Sequence, residues 1–205
     1  MILDVLAAES AALVAGLPPD RWSRPTRCDP WDVRELLAHV RVAVGRVTAM
    51  LAAPAPPAAT VSAADYYRPD ARFSAATNAD RVATARSAVA GDELAAFTAT
   101  VSQVVAACRA EPPGRVVRTR HGDPMLLDDF LTTRVVEVAV HGFDLADAAG
   151  VPSWLTPAAA GTLQDLLLGP GRRAPDPAHF LRAATGRASD PELLARLSPR
   201  LLALG

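Results

Sequence analysis

The chain has 205 residues, 50% hydrophobic and 21% charged, with a formal net charge of -1. That length suits one domain with an appendage and allows a sizeable core, and the charge balance removes the electrostatic case for binding nucleic acid or an anionic membrane. Two isolated cysteines, Cys28 and Cys108, make neither a disulfide framework nor a Cys-type zinc site, and no uncharged apolar run approaches the roughly 20 residues of a membrane span.

The first predicted helix runs from Ile2 to Gly16, with Leu3, Leu6, Leu13 and Leu17 as core candidates and Pro18–Pro19 as its stop. It carries Asp4 and Glu9 and lacks a basic leader, so it reads as an amphipathic helix of a cytoplasmic protein and not as an export signal. In "CDPWD", Asp29 is the expected N-cap of the second helix, with Pro30 at the first helical position and Asp32 in the first turn. That helix is expected to reach Leu51, with Val33, Leu36, Leu37, Val40, Val44 and Val47 as its apolar stripe. "APAPPAAT" breaks the chain, and a polar connection from Ser62 to Phe73 holds Tyr66, Tyr67 and Arg68. The third helix is expected over Asn78–Ala110, with an interruption near Gly91. Val116–Thr119 reads as a short extended piece and "HGDP" as a turn. The fourth helix spans Leu127–Ala149 and is closed by Gly150. Shorter helices follow near Pro157–Leu168, Ala178–Ala184 and Pro191–Leu204. No strand alternation stands out, so the expected fold is all-α: a four-helix bundle over residues 1–150 and a small helical C-terminal extension over 151–205 packed on it.

The fourth helix is unusual. At helical spacing Phe130, Arg134, Glu137, His141, Asp144 and Ala148 share one face, while Leu131, Val135, Val136, Val138, Ala139 and Val140 fill the rest. A surface helix has the opposite pattern, so this polar stripe is expected to face an internal cleft. Buried charges cost several kcal/mol each unless paired or metal-bound. Glu137 and His141 lie one turn apart, and His39 sits at the edge of the second helix's apolar stripe. Two histidines and a carboxylate from facing helices are the way bundles assemble metal sites, and three N/O ligands leave a position open for chemistry. His39, Glu137 and His141 are therefore the candidate metal ligands. Zn²⁺ suits the set best, although Ni²⁺, Fe²⁺ and Mn²⁺ accept similar ligands. Arg134 and Asp144, one turn from these ligands, are the candidate catalytic residues, contacting substrate or orienting the ligands. The competing reading is a structural network in which Arg134 pairs with Glu137 or Asp144. His121 is expected in an exposed loop, and His179 has no polar partner at helical spacing. Trp31 is expected as a core or loop anchor. Cys28 is expected to be structural, since no activating base is recognisable beside it in sequence. Arg115, Arg118 and Arg120 read as a solvated loop.

At these residues the sequence resembles a known family. "TRCDPWDVRELLAHV", followed by "TTRVVEVAVHGFDLADAAG", is similar to the N-terminal domain of mycothiol-dependent maleylpyruvate isomerases, within the broader DinB-like (YfiT-like) metalloenzymes. The resemblance covers at least residues 1–150. It implies a DinB-like bundle whose divalent metal is held at the positions of His39, Glu137 and His141. It also implies a small thiol, mycothiol in actinobacteria, as cosubstrate. A metal-held thiolate is a nucleophile at neutral pH, so the implied activity is S-transfer to a small electrophile or its cis–trans isomerisation. Full-length isomerases of the family add an α/β domain, where this chain has sequence that reads as helices. A metal-dependent hydrolase and a non-enzymatic binding bundle with a relic site are the alternative readings. The expected partners are the thiol and a small electrophile, with the chain a monomer or homodimer.

Overall fold

The computed structural model describes residues 1–70 and 74–200, so the predicted ends of the connection at Phe73 and of the last helix at Leu204 lie outside the described residues. Eight α-helices, one 3-10 turn (Asp65–Tyr67) and one short hairpin make up the regular structure described: α1 (Ile2–Gly16), α2 (Val33–Ala52), α3 (Ala75–Ala88), α4 (Glu93–Arg109), β1 (Val116–Arg118), β2 (Pro124–Leu126), α5 (Leu127–Ala149), α6 (Pro157–Leu168), α7 (Pro177–Ala184) and α8 (Pro191–Leu197). The chain is mostly helical, as its sequence implies.

The bundle is a ring of four helices. α1 packs on α5 and α4, and α2 packs on the same two from the other side. Leu6 and Leu13 of α1, Leu36, Val40 and Val47 of α2, Phe97 and Val104 of α4, and Leu131, Val135 and Val138 of α5 are fully or almost fully buried between them. Spacings of three, four and seven residues put these side chains on single helix faces.

The structure corrects the sequence expectation at one boundary and sharpens it at two others. The second helix begins at Val33 and its N-cap is Asp32, not Asp29. Asp32 accepts a hydrogen bond from the Glu35 amide at 2.9 Å, and Glu35 accepts one from the Asp32 amide at 3.3 Å. This reciprocal capping box needs a Glu three residues on, which Asp29 lacks. The preceding turn closes on itself, with the Thr26 amide donating to the Trp31 carbonyl at 3.0 Å. The expected interruption near Gly91 separates two helices, α3 ending at Ala88 and α4 beginning at Glu93. Asp92 caps α4 by accepting from the Ala95 amide, so only α4 joins the ring and α3 lies against α2. Finally, Val116–Arg118 is one strand of an antiparallel hairpin with Pro124–Leu126, closed around "HGDP". Three-residue strands are too short for alternation to show in the sequence.

The segment after Gly150 lies on the bundle: α6 packs on α5 and α1, and α7 on α5. Trp154 anchors it. An added Cβ at Gly16 would lie 2.5 Å from the Trp154 ring, and one at Gly142 would lie 3.1 Å from its indole nitrogen. The two glycines thus form the slot that admits the indole. Glu9, 1% exposed, accepts a hydrogen bond from the Thr156 amide at 2.9 Å and so ties α1 to the cap of α6.

Candidate metal centre

α5 is buried on almost every side, so its polar side chains have no solvent face to occupy. They meet α2 along a cleft of about 430 Å³, whose lining includes His39, Glu137 and His141. His39 Nε2 lies 3.7 Å from Glu137 Oε2, and His141 Nε2 lies 3.6 Å from the same oxygen. One donor atom from each of the three residues falls within 4.8 Å of the others. Tetrahedral ligands at about 2.0–2.1 Å from an ion are separated by roughly 3.3–3.4 Å, so this cluster has the dimensions of a three-ligand site.

Each donor is held from behind. Trp31 stacks on His39, with ring centroids 4.5 Å apart and 26° between planes. Asp144 accepts a hydrogen bond from His141 Nδ1 at 3.0 Å. Because that carboxylate is ionised, Nδ1 carries the proton, and in the neutral ring Nε2 keeps its lone pair toward the cleft. Arg134 lies 3.7 Å from Glu137 Oε1 and is itself held by the Ala43 carbonyl and the Thr133 hydroxyl.

Burial works against ionisation of Glu137, but His39, Arg134 and His141 outweigh it and hold the carboxyl well below the usual carboxylate range. Burial, reinforced by the neighbouring His141, pushes the His39 imidazole down. Burial also opposes the charge on His141, but the hydrogen bonds to Asp144 and Cys28 and the Glu137 carboxylate prevail and raise it to about 10. Asp144 is likewise ionised against burial, by His141 and Arg187.

A second group, Cys28, His141 and Asp144, also has the spacing for a cation. Asp144 is already held there by Arg187 through two hydrogen bonds of 3.0 and 2.7 Å, with Arg27 a further 3.9 Å away. Neither Cys28 nor Asp144 lines the cleft. A guanidinium thus occupies the place of a cation, and His39–Glu137–His141 is the better fit for a metal.

A sequence profile of the mycothiol maleylpyruvate isomerase N-terminal domain matches residues 3–146. The chain belongs to this family. Similar relatives include uncharacterized proteins of Mycobacterium tuberculosis strains CDC 1551 / Oshkosh and ATCC 25618 / H37Rv. Each is 34% identical over 152 residues, which is 68% of this chain and 52% of the relative. The chain therefore spans about half the length of these curated relatives. The crystal structure of the mycothiol-dependent maleylpyruvate isomerase has a TM-score of 0.60 at 16% identity, covering 92% of this chain and 89% of that one. It shows a shared fold over a larger share of the chain than the bundle alone.

Several site residues are not apparent from the sequence. Cys28 donates to Asp144 at 3.3 Å and lies 3.9 Å from His141 Nδ1, so its thiol abuts the cluster from behind. Arg187, from the segment after α7, holds Asp144 across 43 positions of chain. Tyr67, on a 3-10 turn at Asp65–Tyr67, lines the cleft and donates to the Thr133 carbonyl. Only Arg46 had a local signal, seven residues after His39 on the same face of α2. His179 does have a polar partner, Asp190 at 2.8 Å, supplied from beyond its helix. Arg118 and Arg120 are exposed, as expected of a solvated loop, and also line the cleft. No helix among the described residues is long and apolar enough to cross a membrane.

Proposed function

We propose that the chain is a metal-dependent enzyme that uses a low-molecular-weight thiol, mycothiol, to attack a small electrophile. The reaction is S-transfer or cis–trans isomerisation, and the ligands are His39, Glu137 and His141. The observation that carries this reading is the convergence of three donors from α2 and α5 on one cleft, in a family named for a mycothiol isomerase N-terminal domain.

A divalent ion, zinc by preference for this donor set, supplies a Lewis acid that stabilises a coordinated thiolate near neutral pH. The chain's own residues do the rest. Asp144 fixes the tautomer and ring orientation of His141, and Arg134 keeps Glu137 ionised. Both act as positioning residues, with Arg134 also lining the cleft and open to direct contact with a ligand. Trp31 closes one side of His39 against water. A hydrolase needs a further carboxylate base at the cleft, and among the described lining residues Glu137 is the one carboxylate, which favours thiol chemistry.

The test is elemental analysis of natively purified protein, followed by turnover with mycothiol and a panel of electrophiles. The expected result is one equivalent of transition metal, lost in Glu137→Ala, and turnover that needs both metal and thiol. Protein that holds no metal even after incubation with Zn²⁺ contradicts the proposal.

A further inference from the structure

Thr133 lies off the polar stripe of α5 and is fully buried, yet its hydroxyl is used to capacity. A hydroxyl has one proton to donate and two lone pairs. Thr133 Oγ1 donates to the Phe130 carbonyl at 2.6 Å and accepts from Arg134 Nε at 3.2 Å and Nη2 at 3.1 Å. The bond back to a carbonyl one turn earlier is ordinary for a helical threonine. The two bonds from a guanidinium are not. Arg134 also donates from Nη1 to the Ala43 carbonyl at 3.1 Å, and its guanidinium carbon lies 4.6 Å from the centroid of the Phe130 ring. With Arg134 only 3% exposed, these contacts take the place of water around its charge.

Arg134 precedes Glu137 by three residues on α5, and Ala43 follows His39 by four on α2. The guanidinium therefore joins the two ligand-bearing helices about one turn from the donors. Its approach to Glu137 Oε1 stops at 3.7 Å, beyond hydrogen-bond distance, and the atom that approaches is Nη2, already bound to Thr133. Arginine and carboxylate commonly close to a bidentate pair, which here would occupy the oxygens a cation needs. The bonds to Thr133 and Ala43 hold the guanidinium short of that. Glu137 keeps a positive charge beside it without spending its lone pairs. At the same time α2 is tied to α5 near the level where His39 Nε2 meets Glu137 Oε2.

We propose that Thr133 is a positioning residue of the metal centre. Its hydroxyl holds Arg134 as a crossbar between α2 and α5, near Glu137 but off its oxygens, so that His39, Glu137 and His141 all stay available to a cation. The inference rests on the metal site proposed above and goes beyond it, because it assigns the readiness of the site to a residue that is not itself a ligand.

The test is competition for Zn²⁺ between the full chain and a chromogenic chelator, with thermal melts alongside. Thr133→Val keeps the side-chain shape without the hydroxyl, and it keeps the backbone carbonyl to which Tyr67 donates. It is expected to weaken zinc binding roughly tenfold, the lower end of what losing a ligand's outer support costs. Thr133→Ser retains one donor and two acceptors and is expected to stay within about threefold of the parent. In an Arg134→Met background, Thr133→Val is expected to cost no further zinc affinity, since the hydroxyl acts through the guanidinium. A role in packing alone gives the same loss with or without Arg134. Should Thr133→Val not fold, Arg134→Lys carries the test: an ammonium lacks the fork that spans Thr133 and Ala43, and a loss of roughly tenfold is again expected. Parental zinc affinity in Thr133→Val or Arg134→Lys, an equal loss in the Arg134→Met background, or a serine variant as weak as the valine one overturns the proposal. A parent that takes up no Zn²⁺ overturns the metal site as well. A parent that binds Zn²⁺ beside a Thr133→Val protein of equal affinity leaves the site standing and removes only the crossbar.

Discussion

Asp144→Asn tests whether the outer carboxylate sets the inner site. Asp144 is buried and accepts four hydrogen bonds: His141 Nδ1 at 3.0 Å, Arg187 at 3.0 and 2.7 Å, and Cys28 at 3.3 Å. Asparagine offers one acceptor oxygen. In one orientation its amide NH₂ faces the Arg187 Nε–H; in the other it faces His141 Nδ1–H and Arg187 Nη2. Either way the Arg187 guanidinium, 7% exposed at its side chain, loses its counter-ion. Stranding one member of a buried pair costs about 3–5 kcal/mol. Loss of the orienting carboxylate behind a ligating His lowers metal affinity roughly 10–100-fold. The assay is competition for Zn²⁺ against a chromogenic chelator, alongside thermal melts. Arg187→Gln is the control: it removes the same ion pair but keeps the His141–Asp144 bond, so it should lose comparable stability while holding zinc within about threefold of the parent. A folded Asp144→Asn protein with parental zinc affinity, or an Arg187→Gln protein that loses as much zinc, refutes the positioning role.

Two further predictions concern how the C-terminal segment is fastened. Burial raises the pKa of Glu9, against the opposing hydrogen bonds from Thr156, and its Oε1 has no partner among the described residues. An acid whose folded pKa is raised loses stability by being charged above that pKa and regains it as pH falls through it. Glu9→Gln should therefore stabilise by about 1–2 kcal/mol at pH 7.5, with the gain shrinking toward the ordinary glutamate range. A gain that is constant with pH in denaturant titrations, or a loss at pH 7.5, counts against the assignment. Gly16→Ala sets a methyl 2.5 Å from the Trp154 ring. Overpacking of about 1–3 kcal/mol should outweigh the helix propensity gained at a terminal position, so a raised melting temperature would show that Trp154 does not fill this slot.

Much of this molecule is local. The limits of α1, α5 and α6 follow from proline stops, a threonine cap, the left-handed Gly150 and apolar spacing, all of which act within one or two turns. The polar stripe on α5 is also local, because helical periodicity alone places Arg134, Glu137, His141 and Asp144 on one face. His39 was legible as a ligand candidate because it sits at the edge of an apolar stripe, where a side chain can turn into the bundle, and joins a Glu/His pair on another helix. The start of α2 was ambiguous between Asp29 and Asp32, two residues with the same capping chemistry, and the reciprocal bond from Glu35 decided it.

What the sequence by itself determined is the set of helices and which of their faces are polar, since both depend on residues within a few turns of one another. Only the tertiary structure decided that Arg187 and Cys28 stand behind His141, that Trp31 covers His39, and that arginines from α2, α3, α5 and the hairpin end share one cleft. Those contacts join segments far apart in the chain. No periodicity encodes them, because they arise from how the helices pack and from the need to compensate charge wherever packing has excluded water.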